Sequence, residues 1–158
     1  MLTNRVLQIP DAEVISRFPN SEAELFYMFP KATYPLSPKF LIQESESRFY
    51  PTVILQNETI AGYGNFIQAQ KGEFCSMGNI VINPELRRIG IASYLIETLE
   101  TVAFNTENAK YIKVSCFNEN TAGLLLYRKL GYLPFDAEVR QSYDGNQVVL
   151  IHMRKYST

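Results

Sequence analysis

The sequence predicts an α+β fold, a layered α/β sandwich in which a mixed, mostly antiparallel sheet of six to seven strands carries helices on both faces. Three strand-like segments joined by short turns lie between Phe49 and Ile82, which is typical of an antiparallel meander. A helix, a strand and a second helix follow, and this order favours a crossover and therefore a mixed sheet. Near the end, Asp144-Gly145-Asn146 separates two further strand-like segments and indicates a hairpin.

The first third of the chain predicts two helices that carry several aromatic residues. Ser21 and Glu24 form a capping-box pattern ahead of an apolar run, and Pro30 ends this helix. Ser37-Pro38 supplies an N-cap and a first-turn proline for a second helix, which we expect to continue to about Glu46.

The meander consists of three segments rich in β-branched and aromatic residues. We expect strands over Phe49 to Leu55, Thr59 to Gln70 and Glu73 to Ile82. Gln56-Asn57-Glu58 and Lys71-Gly72 provide the two turns between them.

The second half begins with a long amphipathic helix after the loop at Pro84 to Gly90. Its apolar residues recur at helical spacing: Ile91, Leu95, Ile96, Leu99, Val102 and Ala103. We expect a short strand over Tyr111 to Cys116 and then a helix that begins near Asn120 and ends at Gly131, a left-handed C-cap. The final hairpin pairs Leu133 to Tyr143 with Gln147 to Lys155.

Composition and charge are those of an ordinary globular chain. It has 158 residues, of which 46% are hydrophobic, so we expect a single domain over residues 1–158. The formal net charge of −1 argues against nucleic-acid or membrane partners, which need a basic face. No run approaches the ~20 apolar residues that span a bilayer, and no signal peptide is visible. We therefore expect a cytoplasmic protein in which Cys75 and Cys116 are free thiols.

The segment from Asn79 to Ala92 contains a strand, a turn at Asn83-Pro84, an arginine pair and the start of a helix. Unpaired backbone N–H groups, the positive end of a helix dipole and two guanidinium groups converge at Arg87 and Arg88. Gly90 permits dihedrals that turn successive N–H groups inward. The pattern favours a phosphate site, but a plain strand-to-helix turn fits the spacing as well. The segment lacks the features of a P-loop or a dinucleotide fingerprint.

A second pattern involves Asn120 and Tyr127, which are seven residues apart and therefore lie on one face of a helix. The Tyr127 phenol, with a reference pKa of ~10, could protonate a departing thiolate, whose thiol has a pKa of ~8.5. Taken alone, the pattern favours Tyr127 as one more core aromatic residue beside three leucines.

Together, the two patterns resemble the GNAT superfamily of acetyl-CoA-dependent N-acetyltransferases. The loop motif of that family, Gln/Arg-x-x-Gly-x-Gly/Ala, is matched by Arg87, Gly90 and Ala92. The resemblance covers Tyr50 to about Tyr156 and implies the acyl-CoA N-acyltransferase fold. Ser21 to Glu46 would then form the two variable helices that the family places over its acceptor site.

The second motif of the family is Asn-x-x-Ala-x-x-Leu-Tyr-x-x-x-Gly-Phe. The residues that match it are Asn120, Leu126, Tyr127 and Gly131. Two positions depart from it, because Gly123 replaces alanine and Tyr132 replaces phenylalanine. Neither position carries the chemistry that the resemblance implies.

The resemblance implies acetyl-CoA as cosubstrate and no metal. The backbone amides that would hold its pyrophosphate are those of Arg88, Ile89, Gly90, Ile91 and Ala92. Arg87 and Arg88 would add positive charge. The residues that would pair through their backbone with the pantetheine arm are Ile80, Val81 and Ile82, on a strand splayed from its neighbour. A backbone N–H of that strand would polarise the acetyl carbonyl.

The resemblance also implies roles for the second motif, in which Asn120 contacts the pantetheine and Tyr127 is the general acid to the CoA thiolate. The acceptor would be a primary amine of a small molecule or peptide that attacks the thioester directly. An alkyl ammonium has a pKa of ~10.4, so a base must remove a proton, and the candidates are Glu73, Glu138 and His152. Cys116 is disfavoured as a nucleophile because no His or Asp accompanies it in a motif.

Two other functions keep the anion site but not the chemistry. A non-catalytic acyl-CoA-binding sensor would need the loop and no general acid. A nucleotide-binding module would prefer ATP to CoA. The exposed edges of the hairpin at Asp144 also make a homodimer possible.

Overall fold

The structure, a computed structural model, describes residues 1–87 and 89–158. The strands in this part of the chain are β1 (Leu2–Val6), β2 (Phe49–Gln56), β3 (Thr59–Gln70), β4 (Phe74–Ile82), β5 (Tyr111–Phe117), β6 (Leu133–Gln141) and β7 (Gln147–Tyr156). They form one seven-stranded sheet in the order β1-β2-β3-β4-β5-β7-β6. Each neighbouring pair is antiparallel except β4 with β5, which is parallel. The predicted class, a mixed and mostly antiparallel sheet with helices, is confirmed.

The helices are α1 (Asp11–Ile15), α2 (Glu22–Met28), α3 (Pro38–Ser45), α4 (Ile91–Thr101) with a π-helical extension (Val102–Thr106), and α5 (Thr121–Lys129). Both predicted N-caps are present, because the hydroxyl of Ser21 accepts from the Glu24 N–H at 3.1 Å and that of Ser37 from the Phe40 N–H at 3.0 Å. Within the described residues, no helix combines the length and apolar character that crossing a membrane requires.

The expectation that the first third is helical was incomplete, since β1 and α1 precede the two predicted helices. The middle of β1 is polar and gives no strand pattern in the sequence. The strand forms because β2 offers it a free edge, on which Leu2 lies opposite Gln56. Asp11, at the start of α1, accepts hydrogen bonds from the Arg5 guanidinium at 2.7 and 3.0 Å and from the Gln8 N–H at 2.7 Å.

Two helical layers cover opposite faces of the sheet. Helices α4 and α5 pack on one face, in a core that includes Ile54, Met77, Ile91, Leu95, Ile96, Leu99, Ile112, Val114, Cys116 and Tyr127. Helices α1, α2 and α3 pack on the other, in a core that includes Ala12, Ile15, Leu25, Met28, Leu41, Val53, Tyr63 and Val81. The predicted apolar face of α4 is therefore confirmed.

The sheet opens between β4 and β5. The two strands pair for four residues only, from their first residues to Met77 opposite Val114. β4 continues to Ile82 and β5 to Phe117, and the register of the described chain contains no further pair between them. A gap therefore separates the ends of two neighbouring strands.

A bulge in β4 lies immediately after the last of these pairs. Tyr63 of β3 pairs with Val81 and Asn65 with Gly78, so β4 advances three residues where β3 advances two. Asn79 lies inside this bulge and has a φ of 55°, in the left-handed region that L-residues rarely adopt.

The side chain of Asn79 is buried and uses both ends of its amide. Its Nδ2 donates to the backbone carbonyl of Met28 at 2.8 Å, and its Oδ1 accepts from Nε of Arg48 at 2.9 Å. Asn79 thereby joins the bulge of β4 to the end of α2.

We expect Asn79→Ala to lower the free energy of unfolding by roughly 2–3 kcal/mol, because the Met28 carbonyl and the Arg48 guanidinium lose their buried partner. Urea unfolding measures the difference. Asn79→Gly removes the same amide but tolerates the left-handed φ, so it should be less destabilising than alanine by about 1 kcal/mol. An alanine variant as stable as the wild type would contradict this role of the amide.

Candidate functional site

A cleft of about 650 Å³ lies where β4 and β5 separate, bordered by the start of α4 and by α5. The predicted site residues that line it are Ile80, Val81, Ile82, Arg87, Gly90, Ile91, Ala92, Asn120 and Tyr127. Two predicted site residues are not in this lining. Ile89 is 52% exposed and does not line the cleft, and Arg88 lies outside the described residues. Tyr27, Ser115 and Cys116 also line the cleft. Residues 1–87 and 89–158 contain no cluster of three or more His, Cys, Asp or Glu side chains that could hold a metal ion.

The N-terminus of α4 forms one end of the cleft. Gly90 is its N-cap with a φ of 85°, which glycine adopts without strain. Gly90 and the first residues of α4 up to Ser93 line the cleft, and no side chain of the described residues caps this end. The first-turn N–H groups of a helix have no intrahelical partner, and the helix dipole is positive there. This end of the cleft therefore favours an anion.

Arg87 is paired with a carboxylate of α2. Its two terminal guanidinium nitrogens donate to the oxygens of Glu24 at 3.0 and 3.2 Å. These hydrogen bonds lower the pKa of the Glu24 carboxyl below its usual range, so Glu24 is ionised at neutral pH. The pair joins the loop to α2, and Glu24 offsets part of the charge that we expected Arg87 to supply to an anion.

Tyr127 is 8% exposed and lines the cleft from α5. Burial raises the pKa of its phenol, with a smaller contribution from the neighbouring Cys116, so the hydroxyl keeps its proton at neutral pH. Its ring packs edge-to-face on Tyr132, with the ring centroids 6.1 Å apart. Tyr127 is therefore a core aromatic residue that also lines the cleft and carries a neutral hydroxyl, and its role as a general acid stays a prediction.

The structure explains why tyrosine can occupy position 132, where the family motif has phenylalanine. The Tyr132 hydroxyl donates to Glu100 at 2.7 Å, and Nζ of Lys155 lies 3.1 Å from the same carboxylate oxygen. Burial and the Glu100 carboxylate raise the pKa of Tyr132, so it remains a neutral donor. Tyr132, Glu100 and Lys155 are not among the cleft-lining residues that the structure describes.

The other departure, Gly123, follows from crowding near the start of α5. The side-chain oxygen of Asn120 accepts from the Gly123 N–H at 3.1 Å and so caps the helix. A Cβ on Gly123 would lie 2.7 Å from Asn120 Nδ2 and 3.0 Å from Cys116 Sγ. An alanine at this position would need the side chain of Asn120 or Cys116 to shift, so glycine suits the arrangement seen here, and Asn120 has a structural role besides lining the cleft.

The three candidate bases occupy different surroundings. Glu73 lies next to Lys110, with 3.9 Å between the charged atoms, and neither it nor Glu138 is among the cleft-lining residues that the structure describes. His152 of β7 is also outside this lining, but its Nδ1 is 2.6 Å from Oγ of Ser115, which does line the cleft. The sequence did not single out Ser115, because this contact depends on the register between β5 and β7.

Comparison with known proteins identifies the family. The sequence model of the Acetyltransferase (GNAT) family matches residues 15–132. No curated protein sequence is significantly similar to the chain.

Several solved structures share the fold. An acetyltransferase of the GNAT family from Streptococcus pneumoniae is 19% identical, with a TM-score of 0.73 over 99% of this chain and 100% of that one. The ribosomal-protein-S18-alanine N-acetyltransferase from Escherichia coli is 19% identical, with a TM-score of 0.74 over 98% and 92%. The yncA protein of Salmonella typhimurium, solved with acetyl-CoA, is 15% identical, with a TM-score of 0.75 over 98% and 93%.

Both cysteines should resist alkylation in the folded protein. Burial raises the pKa of the Cys116 thiol to about 12 and that of Cys75 to about 11. At pH 8 only about one Cys116 in 10⁴ would then be a thiolate, the reactive form. Intact mass after iodoacetamide treatment should show no adduct on the native protein and two adducts after unfolding in urea. A single rapid adduct on native Cys116 would restore it as a candidate nucleophile.

Proposed function

The chain belongs to the GNAT acetyltransferase family, and from this premise we propose that it transfers the acetyl group of acetyl-CoA directly to a primary amine. The observation that carries the proposal is that Tyr127, the N-terminus of α4 and the unpaired end of β4 line one cleft. Acetyl-CoA has an anionic pyrophosphate, an amide-containing arm and a thioester. The N-terminus of α4 suits the first, the unpaired end of β4 suits the second, and the hydroxyl of Tyr127 suits the third.

The proposed cofactor site follows the cleft from α4 to the gap in the sheet. The backbone amides from Arg88 to Ala92 would hold the pyrophosphate at the helix N-terminus. The backbone of Ile80 to Ile82 would pair with the pantetheine arm, because this part of β4 has lost its β5 neighbour. A backbone N–H of the same segment would stabilise the oxyanion, a contribution that is typically worth ~3–4 kcal/mol.

Tyr127 is the proposed general acid. Its phenol is neutral at pH 7 because burial disfavours the phenolate. A thiolate that forms beside it would also be poorly solvated. Burial has this consequence for Cys116, which also lines the cleft, because it raises the pKa of that thiol to about 12. Burial would therefore make the leaving thiolate more basic than a solvated one, which favours transfer of the Tyr127 proton as the C–S bond breaks.

The proposed acceptor is the primary amine of a small molecule or peptide. Tyr27 and Met28, at the end of α2, line the same cleft and give that side of it apolar character.

We further propose that residues 1–158 form one domain and that it acts in the cytoplasm, where two unpaired thiols are stable. The nine residues of β6 are exposed along a sheet edge, which supports the proposal of a homodimer.

Tyr127→Phe should lower kcat about 10²–10³-fold and leave the dissociation constant of acetyl-CoA nearly unchanged, because only the proton donor is removed. Thiol release with a panel of primary amines measures the first, and calorimetry the second. Tyr132→Phe is the matched control, since it removes the neighbouring hydroxyl, which binds Glu100. It should keep nearly full activity.

Two outcomes would contradict the proposal. Equal turnover of wild type and Tyr127→Phe would remove Tyr127 as the acid. Binding of acetyl-CoA without turnover of any amine would favour the non-catalytic sensor.

A further inference from the structure

Ser115 and His152 form a polar contact at the point where the sheet opens. Oγ of Ser115 lies 2.6 Å from Nδ1 of His152, because the two residues face each other directly across β5 and β7. Ser115 follows Val114, the last β5 residue that pairs with β4. Ser115 is therefore located where the two strands separate, and it lines the cleft.

The His152 ring is largely withdrawn from solvent, with 12% of its side chain exposed, and it is not among the described cleft-lining residues. A group in the cleft could exchange a proton with His152 only through an intermediate. The Ser115 hydroxyl can be that intermediate, since it can accept one hydrogen bond while donating another.

We propose that Ser115 and His152 form a proton relay that deprotonates the amine during acetyl transfer. This inference rests on the proposed function. The ammonium form of the substrate first loses a proton to solvent. As the nitrogen of the resulting neutral amine bonds to the acetyl carbon, one of its protons passes to Oγ of Ser115, and the hydroxyl proton of Ser115 passes to Nδ1 of His152. The C–S bond breaks, and the thiolate takes the proton of Tyr127. His152 then returns its proton to solvent and Tyr127 regains one, so the sum is amine plus acetyl-CoA giving amide plus CoA thiol.

The acid and the base approach the cleft from opposite faces of the sheet. Val114 and Cys116 pack with Tyr127 in the core beneath α4 and α5. Ser115 lies between them on β5, and side chains alternate along a strand, so its hydroxyl points to the other face. Protonation of the leaving sulfur and deprotonation of the amine are thus separated in space, and neither group would neutralise the other.

The charges around His152 favour the tautomer that the relay needs. A Glu138 carboxylate oxygen lies 3.8 Å from Nε2, and Asp136 of β6 is directly opposite His152. A carboxylate can only accept, so a proton on Nε2 is stabilised and Nδ1 is left as the acceptor for Ser115. The same carboxylates would stabilise the imidazolium once it forms.

Burial and nearby cationic groups oppose this stabilisation of the imidazolium. Burial, followed by the charge of Lys113 on β5, lowers the pKa of His152 below its usual value, and Arg140 on β6 adds to this effect, although Glu138 and Asp136 oppose it. His152 is therefore neutral at pH 7 and can accept a proton. As pH falls through this lowered pKa, the ring becomes charged and the relay is blocked.

The chain contains one histidine, so nitrogen NMR can observe this ring without assignment. Long-range ¹H–¹⁵N spectra of the wild type should show the Nε2–H tautomer at pH 7 and a titration midpoint below pH 6.5. Ser115→Ala should shift the Nδ1 resonance, because its hydrogen bond is lost. An Nδ1–H tautomer, or a ring that is charged at pH 7, would overturn the relay whatever the enzyme acetylates.

Kinetics then test the proton transfer. With the fastest amine of the panel, Ser115→Ala and His152→Gln should each lower kcat about 10²-fold, and the double variant should be no slower than either single one. His152→Gln should also lose the acid limb of the kcat–pH profile. Ser76→Ala is the matched control, because Ser76 is a buried serine of β4 on the same sheet face that does not line the cleft in the described structure.

The outcomes separate this inference from the proposed function. If the wild type turns over and Ser115→Ala has the same kcat, the relay alone is overturned. Additive losses of kcat in the double variant would overturn it as well. Absence of turnover in the wild type with every amine would overturn the proposed function and the relay with it.

Discussion

A bulge in β4 lies where this strand separates from β5, and one residue of the bulge has a left-handed backbone. Asn79 has this left-handed φ and lies in the bulge that immediately follows the last β4–β5 pair. Such a conformation costs of order 1–3 kcal/mol and persists only where the surroundings determine it. Here the Met28 carbonyl and the Arg48 guanidinium hold both ends of the amide. A bulge bends its strand, so the contacts of Asn79 stabilise the bend of β4 beside the cleft.

Burial determines the chemistry of the cleft more than any single charge does. It moves the pKa values of Tyr127 and Cys116 further above neutral pH, so both groups are protonated there. It lowers the pKa of His152, which keeps that ring neutral. Among the cleft-lining residues that the structure describes, one ion pair is present, between Arg87 and Glu24. The proposed acid Tyr127 and the proposed base His152 are therefore both neutral at pH 7.

Local patterns in the sequence were sufficient for much of the fold. The caps at Ser21 and Ser37 and the apolar face of α4 follow from residues three or four apart, and the structure confirms them. The polar strand β1 gave no such pattern, because it forms on an edge that only the folded sheet provides. The two motifs placed most of the predicted site residues in one cleft, although their roles toward a ligand stay predictions.

Contacts between distant residues were beyond the reach of the sequence. Arg87 and Glu24 are 63 residues apart, and Ser115 and His152 are 37 apart. Each pair meets only after the sheet has its final register, which no local spacing encodes. The sequence offered His152 as one of three bases, and the structure distinguishes it by its contact with a residue of the cleft.

The proposed activity requires the cleft between β4 and β5 to bind acetyl-CoA. Thermal unfolding with acetyl-CoA, CoA, longer acyl-CoAs and ATP at equal concentration tests it most directly. A ligand present at about 100 times its dissociation constant should stabilise the protein by ~2.7 kcal/mol, a clear shift in Tm for a domain of this size. We expect acetyl-CoA and CoA to stabilise the protein more than ATP does. No shift with any CoA compound, or a larger shift with ATP, would contradict the assignment.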